Sequence, residues 1–356
     1  MKYALVVLRN TQNPVSSVEF EPVVDAFLSG GVFLDEVLLL PYDKPSLVSE
    51  HLFRLSKETE GLFIVCDGAI KASAQEAISL ISGENSDVCE TEKCLFAVIS
   101  AGKSGAESVA ADLIPRIDRR RNRRYSRVVI GTVAAPAKKI RDALRAAEEV
   151  AEDKLLLHAG GKYGVNTIEI IYDQETPKMT ADEAVRAILG EVGEYTYTIG
   201  DESIAERLVE ALKLHRLKIS TAESFTGGGV GGAIVAVSGA SSVFYEGINA
   251  YDSDAKIDRL GVKEYTVRSK GAVTDETAYE MAAGLIAQGH CDISIATTGV
   301  AGPNGDGTNA PVGLVYIAVG TKEHVRVYRY DLTGDRETVT KTAINLALFL
   351  AYRELK

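Results

Sequence analysis

The stretch that decides the fold of the second half of the chain is Leu217-Lys218-Ile219-Ser220-Thr221-Ala222-Glu223-Ser224-Phe225-Thr226-Gly227-Gly228-Gly229-Val230-Gly231-Gly232. Leu217 to Ser220 alternates apolar and polar residues, as a strand entering from a buried edge does. It leads into a hydroxyl-rich turn at Thr221–Ser224. Five glycines then fall within six residues, at 227, 228, 229, 231 and 232, and Ala233 to Val237 continues as an apolar helix. A strand, a turn and a glycine-rich helix start place backbone N–H groups beside Ser224 and Thr226, which suits an anion or an oxyanion. The same glycines also suit tight helix–sheet packing. The stretch alone leaves both readings open.

Two later blocks break the tie. Ser241-Ser242, Phe244, Gly247, Tyr251 and Ala255-Lys256 form one; Thr298-Gly299-Val300-Ala301-Gly302-Pro303 with Pro311-Val312-Gly313 forms the other. With Thr221-Ala222-Glu223-Ser224-Phe225-Thr226-Gly227-Gly228 before them, in this order, they resemble the C-terminal domain of the CinA family, the nicotinamide-nucleotide amidohydrolases. The resemblance covers nearly all of 200–356. One departure stands out: Phe225 occupies a position where that family usually has Cys.

The resemblance implies deamidation of nicotinamide mononucleotide, or a related pyridine nucleotide, to nicotinate mononucleotide and ammonia. Such a reaction needs an activated nucleophile, a held oxyanion and a protonated leaving group. Ser224 is the candidate nucleophile. No histidine lies in these blocks, so a Ser-His-Asp triad is not supported. The resemblance pairs Ser224 with Lys256 as base, and a lysine can serve if burial lowers its pKa. Tyr251 reads equally as a proton relay or as a core tyrosine. Thr226, Gly227 and Gly228 are expected to supply oxyanion or phosphate donors. Ser241 and Ser242 are expected to cap a helix or bind phosphate. Thr298, Gly299, Ala301 and Gly302 form a small-residue loop suited to close approach by a nucleotide. Asn304 to Gly307 reads as a flap or a plain turn, and Asp306 is not expected to bind metal. No metal and no cofactor is expected. The alternative is a non-catalytic nucleotide-binding or interaction protein that retains the same fold.

Composition sets the bounds. The chain has 356 residues, 46% hydrophobic and 25% charged, which is the composition of a globular protein of two or three domains. A net charge of -11 argues against a broad nucleic-acid surface. Four cysteines without a CxxC pair suggest reduced thiols rather than zinc or a disulfide framework. No apolar run has membrane-spanning length, and the first residues do not read as a signal peptide. The expectation is a cytoplasmic protein, no membrane partner, no nucleic-acid partner, and a homodimer.

The first half alternates strands and helices: strands at 3–8, 32–40, 62–66 and 95–99, helices at 18–28, 46–59 and 72–81. That pattern predicts a mostly parallel sheet covered on both faces. Gly102-Lys103-Ser104 mimics a P-loop ending, but Ala97 stands where its first glycine belongs. Cys66-Asp67-Gly68 reads as an ordinary turn. The order of elements weakly resembles the molybdopterin-binding-like N-terminal domain of the CinA family. Leu8 to Pro14 and Cys66 to Lys71 lack that domain's phosphate-cradling glycines and metal-binding carboxylates, so a degenerate domain is expected. Pro115 to Arg127 carries seven arginines and reads as a solvated connection between domains. Residues 126–198 read as strand 127–132, helix 136–152, strands 154–158 and 166–172 joined at Gly160–Gly164, and helix 180–192. That order is compatible with a KH-like domain, without the GxxG loop that binds nucleic acid. The expected fold class is α/β throughout, with domains at 1–124 (degenerate molybdopterin-binding-like), 125–198 (KH-like) and 199–356 (deamidase).

Overall fold

A computed structural model describes residues 1–9, 18–151, 154–305, 307 and 310–356. The protein is a mixed α/β chain with three sheets. It forms two compact units: Met1–Arg127, Ala151–Leu157 and Glu169–Glu183 in one; Val128–Val150, His158–Ile168 and Ala184–Lys356 in the other.

The first sheet holds β1 (Tyr3–Arg9), β2 (Glu36–Pro41), β3 (Gly61–Cys66), β4 (Val88–Glu90) and β5 (Leu95–Ser100), in the order β2-β1-β3-β5-β4. All neighbours are parallel except β4 and β5. β1 shows why the run is apolar without a break. Ala4, Val6 and Leu8 enter one core while Tyr3, Leu5 and Val7 enter the other, so both faces are covered. Helices α1 (Glu21–Ser29), α2 (Pro45–Glu58) and α3 (Lys71–Ser82) supply the covering.

Two expectations for this half need correction. The segment 32–40 is not one strand: Val32 closes α1, its N–H donating to Phe27 O at 2.9 Å, and pairing begins only at Glu36. Pro115 to Arg127 is not a connection. After α4 (Lys103–Ser108) and a π turn at Val109–Leu113 it continues as α5 (Ile114–Arg121), which buries Ile117 in the core, and then opens the next strand. Its helical character is hard to read because α5 offers one buried apolar side chain among charges. The segment 10–14 lies outside the described residues.

Residues 125–199 carry β6 (Tyr125–Val133), α6 (Ala137–Ala151), β7 (Leu156–Lys162), β8 (Val165–Asp173), α7 (Lys178–Val192) and β9 (Thr196–Ile199), with sheet order β7-β8-β6-β9. The hairpin is tighter than expected: Tyr163 and Gly164 alone make the turn, both at positive φ, as a two-residue hairpin requires.

The C-terminal sheet has the order β11-β10-β12-β13-β14, from β10 (Ile219–Glu223), β11 (Phe244–Asn249), β12 (Ile293–Gly299), β13 (Leu314–Thr321) and β14 (Val325–Asp331). The first three strands run parallel and the last two are antiparallel. α8 (Ile204–His215) begins with a capping box between Ser203 and Glu206. It packs with α9 (Gly229–Val235) and α12 (Arg336–Arg353) on one face. On the other face lie α10 (Ser253–Leu260) and α11 (Asp275–Ala287), around Ala222, Ala296 and Ala318. β13 starts at Leu314, directly after the Pro311-Val312-Gly313 motif. Gly313 turns at φ 92, and a Cβ there would stand 1.9 Å from Leu332 O, so only glycine lets the chain enter the sheet at that point. Among the described residues no helix is long and apolar enough to cross a membrane.

Candidate active site

β10 ends at Glu223, and Ser224 sits just beyond it, at the carboxyl end of the parallel strands, where open α/β sheets bind ligands. The Ser224 N–H donates to Thr297 O at 3.0 Å, which fixes the turn to the end of β12. Lys256 rises from α10, whose N-cap Asp252 accepts from Asp254 N. The lysine is 1% exposed. Its Nζ lies 3.0 Å from Ser224 Oγ, 2.7 Å from Ala250 O and 3.1 Å from Tyr251 O. Among the described residues no carboxylate pairs with it. Burial therefore pushes its pKa down to about 8, with Asp252 opposing weakly. A neutral amine has two N–H donors and one lone pair. Two carbonyls and one hydroxyl match that inventory.

The glycine-rich helix start is built differently from the sequence expectation. Its N–H groups are not free. Glu223, 1% exposed, turns its carboxylate back under α9. Oε2 accepts from Gly228 N and Val230 N, both at 3.0 Å, and Oε1 accepts from Gly231 N at 2.8 Å. An internal anion thus fills the place expected for a substrate anion. Gly228 reaches this position at φ 92, where a Cβ would lie 2.9 Å from Asn249 Nδ2. Gly227 N and Gly229 N bond within the turn, to Ser224 O and Thr226 O. Among the described residues, the N–H groups of Phe225 and Thr226 have no acceptor.

The other expected site residues separate into groups. Thr226 stays beside Ser224, its hydroxyl 2.6 Å from that of Thr297. The Tyr251 carbonyl holds Lys256, but the side chain is 66% exposed, so the core-tyrosine alternative is corrected. Thr298 follows the strand alternation to the opposite face and donates to Ala272 O at 2.6 Å. Gly299 ends β12 opposite Val315, and Ala301 is buried in the core. The Gly302 carbonyl accepts from Arg336 at 2.8 Å, which ties that loop to the start of α12. Ser241 and Ser242 are not brought to Ser224. They precede β11 at the end where β10 enters the sheet, and the Ser242 hydroxyl bonds back to Gly239 O. Asp306 lies outside the described residues.

Glu223 is the residue whose role sequence reasoning missed. A carboxylate just ahead of a glycine-rich helix start was the available signal, because such an acid can reach back to cap the helix. Phe225 also becomes intelligible. Its side chain, 7% exposed, points into the apolar core with Val230 and Ile234 rather than toward Lys256. Phe225→Cys is expected to leave the chemistry unchanged and to cost about 2–4 kcal/mol of stability, as large-to-small core changes do. Urea denaturation checks the second part, and a stability equal to that of the parent would contradict it.

An α/β module with a buried serine–lysine pair at the carboxyl end of its parallel strands is therefore the class this site defines. Residues 201–355 match the CinA C-terminal domain. A CinA-like protein of Kosmotoga olearia is 45% identical over 170 residues, 48% of this chain and 41% of that protein. A CinA-like protein of Thermotoga maritima is 40% identical over 178 residues, 49% of this chain and 43% of that protein. The match thus spans less than half the length of these relatives. Among solved structures, the competence/damage inducible protein CihA of Agrobacterium tumefaciens is 34% identical, covering 41% of this chain and 90% of that one, with a TM-score of 0.40.

Proposed function

We propose that the C-terminal module, residues 199–356, is an amidohydrolase that converts nicotinamide mononucleotide and water to nicotinate mononucleotide and ammonia. The observation that carries this reading is the 3.0 Å contact between Ser224 Oγ and a buried Lys256 Nζ whose pKa is lowered to about 8. Neutral Lys256 takes the hydroxyl proton as Ser224 attacks the carboxamide carbon. The tetrahedral oxyanion is held by the N–H groups of Phe225 and Thr226. The resulting Lys256 ammonium passes its proton to the departing nitrogen, ammonia leaves, and an ester on Ser224 remains. Neutral Lys256 then deprotonates a water, which attacks the ester. The carboxylate is released and Ser224 regains its proton. Pyridine nucleotide as substrate follows from the family resemblance. The inward-facing Phe225 supports catalysis over the non-catalytic alternative, since the one departure from the family's usual residues is turned away from Lys256.

The test is ammonia release from nicotinamide mononucleotide by the full chain. No release under saturating substrate would overturn the proposal. The pH profile adds a sharper check. Only neutral Lys256 is a base, so kcat/KM is expected to rise about tenfold per pH unit below the pKa and to level off above about pH 8. A profile flat from pH 6.5 to 9 would exclude Lys256 as the base.

A further inference from the structure

The arginine-rich segment holds a second candidate site, which the amidase reading does not use. Five of its seven arginines are neutralised within the first unit. Arg116 pairs with Asp112, Arg120 with Glu90, Arg121 with Asp118, Arg123 with Asp173 and Glu175, and Arg127 with Glu169. Arg119 and Arg124 have no carboxylate partner among the described residues; Arg119 makes only a backbone bond, to Pro115 O at 3.3 Å.

Both of these arginines line one cleft of about 690 Å³, together with Arg123, Asp118, Tyr125 and Gln174. That volume lies within the range of small-ligand sites, about 300–1,000 Å³. The walls are held. Gln174 accepts from the Arg124 N–H through its side chain and donates its own N–H to Arg124 O at 3.2 Å. Asp118, the one acid of the lining, is spent on Arg121 at 2.6 Å. The Tyr125 ring is fixed under the Arg121 guanidinium at 4.5 Å. In a chain of net charge -11, the cleft therefore keeps the charge of Arg119 and Arg124 unbalanced by any carboxylate among the described residues. Like charges brought together without a counter-charge repel, and a multiply charged anion relieves that repulsion.

We propose that this cleft binds a small ligand bearing a phosphate or diphosphate group, with Arg119 and Arg124 as its principal contacts and Arg123 and Gln174 at its margin. The site is independent of Ser224 and Lys256. Long polyanions are disfavoured by the acidity of the rest of the chain.

Calorimetric titration of the full chain with inorganic pyrophosphate, and separately with a nucleoside diphosphate, tests this. Saturable binding is expected, weakened by added salt. Arg119→Ala with Arg124→Ala should weaken it by at least about tenfold, the scale of losing one charge-assisted hydrogen bond. Arg119→Lys with Arg124→Lys should recover part of it, and ammonia release should be unaffected in both variants. Tighter binding of the nucleoside diphosphate than of pyrophosphate would assign the ligand's organic part to the cleft as well; equal affinity would assign the diphosphate alone. Absence of saturable binding, affinity unchanged in the double alanine variant, or binding confined to an oligonucleotide would each overturn the proposal.

Discussion

Ser224→Ala is expected to abolish ammonia release, and Lys256→Met to reduce it by at least about 10²–10⁴-fold, the usual value of general-base assistance. The two losses differ in cause. Without Ser224 Oγ no ester can form. Without Lys256 Nζ the hydroxyl remains but has lost the group 3.0 Å away that would take its proton. Methionine is the informative replacement because it keeps the buried stem volume and removes only the amine. Residues that act as a unit give non-additive losses, so the double variant should be hardly slower than the Ser224 variant alone. Neither change removes a group that would hold a phosphate, so nucleotide binding should persist in both. Ammonia release with a binding isotherm for each variant decides the matter. Near-normal turnover in Ser224→Ala would leave direct attack by water as the remaining mechanism.

Glu223→Ala is expected to produce the largest loss of stability of any single change in the C-terminal module. The substitution removes the acceptor for three N–H groups at the start of α9, two buried (Val230, Gly231) and one partly buried (Gly228). A buried donor left without a partner costs about 1–3 kcal/mol. Allowing for water entering the vacated space, a net loss of about 3–5 kcal/mol is expected, the range that marks the breaking of a buried network. Activity should fall with it, because Ser224 and the Phe225 and Thr226 N–H groups belong to the same turn. Glu223→Gln should fall between the two, since one amide oxygen can accept from two donors while its NH2 faces the third. Urea denaturation gives the measurement. A Glu223→Ala variant within about 0.5 kcal/mol of the parent, the usual effect of a surface change, would show that the carboxylate does not hold the loop.

The elements that sequence made legible are those whose pattern is local. β1 is apolar from Tyr3 to Leu8 because that run is buried on both faces, and the requirement is written residue by residue until the exposed Arg9. α8 announces its start through Ser203 and Glu206, three residues apart. The glycine-rich turn after β10 was equally plain as a turn. β11 carries no strand pattern that its own residues make legible. It is an edge strand whose side chains are alternately half-buried and exposed, with Glu246 and Gly247 at its centre, so only its pairing with β10 makes it one. The three-residue β4 and four-residue β9 are likewise too short to carry a periodic signal and are defined by their partners.

The site divides along the same line. Ser224 and Lys256 were nameable from motifs, and the resemblance paired them. Their 3.0 Å contact depends on β10 and β11 running parallel, so that both chains turn at the same end of the sheet. The tertiary structure also decided which N–H groups are available. Sequence could count the glycines and see an anion site. It could not say that the anion was already present, because whether Glu223 points back under α9 or outward is a matter of side-chain direction at one strand end. A pattern of residue types carries periodicity and turn chemistry, whereas the partners of a buried charge are set by the packing around it.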